Sequence, residues 1–114
     1  MPYYEKNFFS SVRKRDYKVV PFKKEKITKA IAKAAASTGI EYKNTLFKNL
    51  ANEVENYLKE NYLKGETLTI ETIHNVIEIV LNNKRYTNIA NSYSFYRKIK
   101  EQRRKILKVE KKKE

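Results

Sequence analysis

The residues that interrupt regular secondary structure are few in this 114-residue chain, and their positions constrain its fold more than any other feature. There are two glycines and two prolines, and beyond Pro2 they fall at Pro21, Gly39 and Gly65. Chains with long loops or many tight turns need more of both residue types. The long segments between these positions therefore predict a mainly helical protein, and 114 residues suit one domain with one modest core.

Apolar residues recur at helical spacing in four segments of the chain. The first helix is predicted over about 24–37 and the second over about 44–63, and Gly39 and Gly65 end them. A third helix follows Thr69, a predicted N-cap, and a fourth is capped by Thr87 and runs to about 108. The predicted inward-facing residues are Ile27, Ala30, Ile31 and Ala34, then Leu46, Leu50, Val54, Tyr57 and Leu58, then Ile70, Ile73, Ile77, Val80 and Leu81, and finally Ile89, Tyr93, Tyr96 and Ile99.

A cationic hairpin is predicted before the first helix, in the stretch "VRKRDYKVVPF". Two short strands at about 10–14 and 18–22 flank a turn over residues 15–18. Three cations, Arg13, Lys14 and Arg15, stand side by side where the first strand meets the turn. The predicted fold class is therefore mainly α, with a small β-hairpin cap on a four-helix core and no internal repeat.

The net charge of +13 is confined to the two ends of the chain. Residues 1–30 carry a net charge of +6 and residues 97–114 carry +7, whereas residues 31–96 are neutral. Such polarity indicates an anionic partner, which the charge alone leaves open between a nucleotide, a nucleic acid and an acidic protein.

The sequence lacks the residues or motifs that several classes of protein require. There is no cysteine for a disulfide or a thiolate metal site, and one histidine among thirteen scattered acids does not form a metal cluster. There is no phosphate-binding Gly-x-x-x-x-Gly-Lys loop, no apolar run of about 18 residues and no cleavable leader. A cytoplasmic domain without a metal site is therefore expected. No pattern in the sequence places a general base beside a water-positioning group, and no metal-dependent phosphoryl-transfer motif is present, so we do not expect an enzyme.

The order of three motifs resembles the ATP-cone family over about residues 10–104. They are "VRKRDYKVVPFKKEKITKAIAKAA", "TIETIHNVIEIVL" and "YTNIANSYSFYRKIKEQR". The first motif matches the family pattern at Val12, Lys14, Arg15, Asp16, Pro21, Phe22, Lys26 and Ile27, and the last at Ala90, Tyr93, Tyr96 and Arg97. Tyr17 stands where the family usually has glycine, and neither a catalytic barrel nor a Cys-x-x-Cys zinc ribbon accompanies the cone in this chain. Residues 1–9 would be an N-terminal extension and residues 105–114 a basic tail.

The resemblance implies reversible binding of an adenine nucleotide, ATP or dATP with Mg²⁺, as an allosteric effector. ATP-cones regulate ribonucleotide reductases, and they occur in the zinc-ribbon repressor of reductase genes. Expected partners are therefore a reductase or another regulated protein, with a nucleotide-dependent homo-oligomer as a further outcome. The nucleotide-binding residues implied by the resemblance are Val12, Lys14, Arg15, Lys26, His74, Tyr96, Arg97 and Lys100.

Simpler interpretations of these residues stay open at this point. Lys14 and Arg15 could be a solvated hairpin edge that discourages strand pairing, and Lys26 a plain surface lysine. His74 could be an ordinary half-buried histidine, and Tyr96 a core residue like Tyr93. Two other functions are a small basic nucleic-acid-binding protein and a free-standing inhibitory subunit of an enzyme. The tail itself could be solvated or could bind nucleic acid or an acidic partner.

Overall fold

The computed structural model describes residues 8–113 and the side chains as far as Leu107. The predicted extension 1–9 therefore lies largely outside the described residues, as do the side chains of most of the tail. The helices are α1 (Lys24–Ala36), α2 (Asn44–Asn61), α3 (Ile70–Asn83) and α4 (Thr87–Lys113), and the strands are β1 (Ser11–Arg13), β2 (Val19–Pro21) and β3 (Leu68–Thr69). The predicted mainly α fold with four helices is confirmed.

α1 and α2 begin at the predicted residues, and the C-terminal ends of α1, α2 and α4 differ from the predictions by one, two and five residues. Thr69 caps α3 as predicted, because its hydroxyl accepts a hydrogen bond from the N–H of Thr72 at 3.1 Å. The prediction for Thr87 was wrong by one position, since this residue is already the first of α4. At its other end α4 continues to Lys113, well beyond the predicted end, because its charged residues offer no break.

The small sheet contains a third strand that the sequence pattern did not predict. Its order is β2-β1-β3, so β1 is the central strand. β1 and β2 pair antiparallel, with Val12 opposite Val20, whereas β1 and β3 pair parallel, with Val12 opposite Leu68. β3 runs directly into α3. The parallel pair therefore fixes the hairpin beside the N-terminus of α3.

The hairpin turn keeps the backbone conformation that glycine favours, although Tyr17 occupies the position. Tyr17 has φ +68°, and its N–H donates to the carbonyl of Lys14 at 3.0 Å. The Asp16 carboxylate accepts from the N–H of Lys18 at 3.0 Å, which closes the turn from its side chain. A non-glycine residue in this region costs about 1 kcal/mol or more. The Tyr17 side chain is 81% exposed, so packing contributes little to offset that cost.

The core lies between the four helices and extends beneath the sheet. Phe9, Val12 and Phe22 close it on the sheet side. Phe9 is among the most buried side chains, and Phe8 packs edge-on against it at 4.7 Å between ring centroids. The sequence pattern did not indicate that either phenylalanine would join the core.

Candidate functional site

A cavity of about 550 Å³ lies between the sheet, α1, α3 and α4. Its walls come from these elements, and α2 contributes none of its residues. The eight predicted site residues all line it, namely Val12, Lys14, Arg15, Lys26, His74, Tyr96, Arg97 and Lys100. Residues from both ends of the chain and from its middle therefore meet in one cavity, as the family resemblance implied.

One part of the cavity wall is apolar. It is built by the sheet, by one face of α1 and by one face of α3, through Val12, Val20 and Phe22, then Ile27, Ala30 and Ala34, and then Ile70, Ile73 and Ile77. Most of these residues belong to the hydrophobic core or pack against it, so the wall is continuous with the core. An apolar wall of this kind suits the flat faces of an aromatic ring.

The other part of the wall is strongly cationic. Five of its lysines and arginines were predicted, and three more join them at Lys23, Lys33 and Arg104. Asp16 is the only acidic residue that lines the cavity in the described part of the chain. The N-terminus of α1 lies here too, since Lys23 precedes its first residue and makes no side-chain cap. Its positive dipole end and free N–H groups add to the attraction for an anion.

Two of the three cations that were not predicted, Lys33 and Arg104, lie on helices and could have been predicted from their spacing to site residues. Lys33 follows Lys26 by seven residues on α1, and Arg104 follows Arg97 by seven on α4. Seven residues are two helical turns, so each pair lies on one face. One terminal nitrogen of Arg104 is buried without a hydrogen-bond partner among the described residues, and this group is available to an anion.

Arg97 is held by two acids and one amide on α3. Its two terminal nitrogens bond to Glu78, to Glu71 at 3.0 Å and to Asn75 at 3.3 Å. Glu71 also forms an ion pair with Arg15. The chain of ion pairs thus joins the hairpin, α3 and α4 along one edge of the cavity. No role in the site was predicted for Glu71, because these pairings depend on the tertiary fold.

His74 lies inside this arrangement, on the face of α3 that meets α4. Its Nδ1 shares a hydrogen bond with the hydroxyl of Tyr93. Burial, aided by the positive charge of Arg97, lowers the pKa of His74 from 6.5 to about 4. Burial also raises the pKa of Tyr93 above its usual value. Both side chains are therefore neutral near pH 7, and the imidazole can exchange hydrogen bonds without carrying a charge.

Tyr96 corrects one of the predictions. The side chain is 37% exposed, so the interpretation of Tyr96 as a core residue is wrong, whereas Tyr93 is buried as predicted. The hydroxyl of Tyr96 shares a hydrogen bond with the hydroxyl of Ser37 at 2.9 Å. Tyr96 thus links α4 to the C-terminal end of α1 at the cavity wall.

Two further features of the described residues bear on function. No group of three histidine, cysteine, aspartate or glutamate side chains within residues 8–107 is arranged to hold a metal ion. No described helix combines the length and apolar character that crossing a membrane requires.

Comparison with known proteins gives two matches. A family model described as the ATP cone domain matches residues 10–102. The chain is also 42% identical over 103 residues to the vitamin B12-dependent ribonucleoside-diphosphate reductase of Thermoplasma acidophilum. That alignment covers 83% of this chain, but the chain spans only 12% of the length of this curated relative.

Proposed function

Because this chain belongs to the ATP-cone family of nucleotide-binding regulatory domains, we propose that its cavity binds ATP or dATP reversibly and thereby regulates another protein. The observation that carries the proposal is the cavity itself, in which an apolar wall and a cationic wall adjoin. A volume of about 550 Å³ is in the range of small-molecule sites. An adenine ring suits the first wall and a triphosphate the second.

The cationic wall supplies the contacts for the phosphates. Lys14 comes from the hairpin, Lys26 from the first turn of α1 and Lys100 from α4. These lysines approach from three different elements, so a triphosphate between them would hold the elements together. Lys26 opposes the helix dipole when the site is empty, and a bound anion removes this conflict.

The remaining predicted residues suit the base and the ribose. Val12 lies in the central strand at the apolar wall, and the family resemblance implies that its backbone would border the base. His74 and Tyr96 bring a neutral imidazole and a phenol to the cavity, and both can hydrogen-bond to hydroxyl groups of a sugar. Mg²⁺ would travel with the triphosphate, because its oxygens offer ligands that this ion prefers.

The proposed role is regulatory and not hydrolytic. The carboxylates of Glu71 and Glu78 beside the cavity are bonded to arginines, and the Asp16 carboxylate closes the hairpin turn. Activation of water for attack on a phosphate needs a free base positioned beside it. These three carboxylates have other partners, so the bound nucleotide should stay intact. Purified protein should release no phosphate from ATP, and release that is abolished by Lys26→Ala would contradict the proposal.

The regulatory output would be a change of conformation or association in a cytoplasmic partner. We propose a ribonucleotide reductase, or the control of reductase genes, as the target, since the relative with 42% identity is named a reductase. A free-standing inhibitory subunit would use the same nucleotide site. The basic C-terminal part of α4 is a candidate surface for binding a partner, because Lys98, Arg103 and Lys105 are exposed there.

Calorimetry with ATP, dATP, GTP and a short DNA duplex tests the proposal. ATP and dATP should bind, GTP should bind more weakly because an apolar wall leaves its extra polar groups unpaired, and the duplex should not compete. Lys26→Ala should weaken ATP binding, whereas Lys48→Ala, on the exposed face of α2, should not. Tight duplex binding without nucleotide binding would favour the nucleic-acid-binding alternative instead.

A further inference from the structure

Glu71 holds one of the cationic groups that a phosphate would use. Its side chain is 44% exposed and lies in the first turn of α3, beside the hairpin turn. One carboxylate oxygen pairs with Arg15, and the other accepts a hydrogen bond from Arg97 at 3.0 Å. The carboxylate therefore bridges two arginines that both line the cavity.

These pairings neutralise the charges of Arg15 and Arg97. Arg15 and Arg97 contribute two positive charges, and Glu71 and Glu78 contribute two negative charges, so the cluster has no net charge. Lys14 and Lys26, by contrast, form no ion pair with any described residue. The cavity thus presents unpaired lysines and one unpaired nitrogen of Arg104 to an incoming anion, whereas Arg15 and Arg97 are occupied by carboxylates.

The two arginines are held to different extents. Arg97 is 23% exposed and bonds to Glu71, Glu78 and Asn75. Arg15 is 42% exposed, and its ion pair with Glu71 is the only one that the described residues provide. Arg15 is therefore the arginine that can leave its carboxylate when a phosphate arrives.

We propose that Glu71 is an internal counter-anion that a phosphate ligand must displace from Arg15, so that Glu71 sets the affinity of the cavity for its effector. The proposal rests on the proposed function, since it concerns the same site. Glu71 offers the planar guanidinium fork of Arg15 a single oxygen, whereas a phosphate that competes for the same fork can bind it with two parallel hydrogen bonds. Displacement has a free-energy cost that lowers affinity and keeps binding reversible.

The exchange also changes a tertiary contact. The ion pair of Arg15 and Glu71 joins the hairpin turn to the first turn of α3, in addition to the strand pairing of β1 with β3. When a phosphate replaces Glu71 on Arg15, the ion pair between the hairpin turn and α3 is lost, and the bound ligand contacts the hairpin turn instead. Binding is thereby coupled to the position of the exposed turn that carries Asp16 and Tyr17.

The test compares Glu71→Gln with the parent protein by calorimetry, using inorganic tripolyphosphate, ATP and adenosine. The amide keeps the size of the side chain but removes the charge that competes for Arg15. We expect about two- to fivefold tighter binding of tripolyphosphate and ATP, the scale of one exposed ion pair, and no change for adenosine. Glu53→Gln on α2 removes an equal charge away from the cavity and should change none of the three affinities.

A double-mutant cycle separates competition from a general charge effect. If Glu71 acts through Arg15, then Glu71→Gln should give less than about a 1.5-fold gain in an Arg15→Ala background, a residual effect within experimental additivity. An equal gain in both backgrounds would show that only the local field had changed and would overturn the proposal. Circular dichroism checks that each variant is folded, which we expect because both side chains are partly exposed.

The outcomes distinguish this inference from the proposed function. If the parent binds ATP and Glu71→Gln gives no gain, the inference is wrong and the function stands. If the variant gains for tripolyphosphate while ATP binds no better than tripolyphosphate alone, the counter-anion is supported and the adenine site is wrong. If neither protein binds tripolyphosphate or ATP, both are overturned.

Discussion

His74 should make this domain less stable in mild acid, and the structure gives the direction and the size of the effect. The imidazole is half-buried between α3 and α4, bonds to Tyr93 and lies near Arg97. Its pKa is about 4 in the folded protein and 6.5 in the unfolded chain. Between these values the unfolded chain binds more protons than the folded one, so the free energy of unfolding falls as the pH falls from 6.5 to 4. Above this window the full stability is present.

The magnitude follows from the difference between the two pKa values. Each pKa unit corresponds to about 1.4 kcal/mol, so a fully buried group with this difference would cost about 3 kcal/mol. His74 keeps part of its surface in contact with solvent, which screens the charge of the protonated imidazole. We therefore expect a loss of about 1–2 kcal/mol from this side chain.

Denaturant unfolding of the parent and of His74→Gln at about pH 7.5, 6.5, 5.5 and 4.5 measures the effect. His74 is the only histidine in the sequence, so the difference between the two curves isolates its titration from that of the carboxylates. The parent should lose about 1–2 kcal/mol more than the variant over this range. Parallel curves, or a parent that gains stability in acid, would refute the assignment of a buried neutral imidazole.

Four further results are expected. Nucleotide binding at about pH 6 should take up protons, seen as a binding heat that depends on the buffer, because the negative triphosphate offsets the charges of Arg97, Arg15 and Lys100 that help to lower the pKa of His74. Lys14→Ala and Lys26→Ala should each weaken ATP binding by about 1.5–3 kcal/mol with little change in unfolding, and unchanged affinities would place the phosphates elsewhere. Deleting residues 105–114 should leave ATP affinity within about threefold at physiological salt, because charges beyond about 8 Å are screened. Sedimentation with no nucleotide, ATP and dATP should show different oligomeric states, and superimposable profiles would exclude self-association as the output.

The helices were predictable because each depends on a local pattern. The apolar stripe of α3 and the cap at Thr69 lie within one continuous segment, and the structure reproduces both. β3 is two residues long and pairs with a strand more than fifty residues earlier in the chain, so no local pattern distinguishes it from the approach to α3. The burial of Phe9 was not predicted for a related reason, since it depends on tertiary contacts such as the one with Phe22.

The candidate site was predictable from family resemblance and less so from the residues alone. Lys14 and His74 have no special local signature, yet the resemblance assigned both to a site, and both line the cavity. The bridge formed by Glu71 was not predicted, because it needs the hairpin and α4 to approach the same turn of α3. Tyr96 lines the cavity as the resemblance implied, but the helical spacing wrongly indicated a core residue, because spacing gives the side of a helix and not how far the partner elements extend along it.

Because α4 is long, a small tilt of this helix at the cavity produces a larger displacement at its C-terminal end. The helix continues for 16 residues from Arg97 at the cavity to Lys113, which corresponds to about 24 Å at 1.5 Å per residue. A tilt of about 10° at the cavity would therefore move the far end by about 4 Å, while Arg97 itself hardly shifts. A partner bound to the C-terminal end of α4 would therefore be displaced several times further than Arg97 at the cavity.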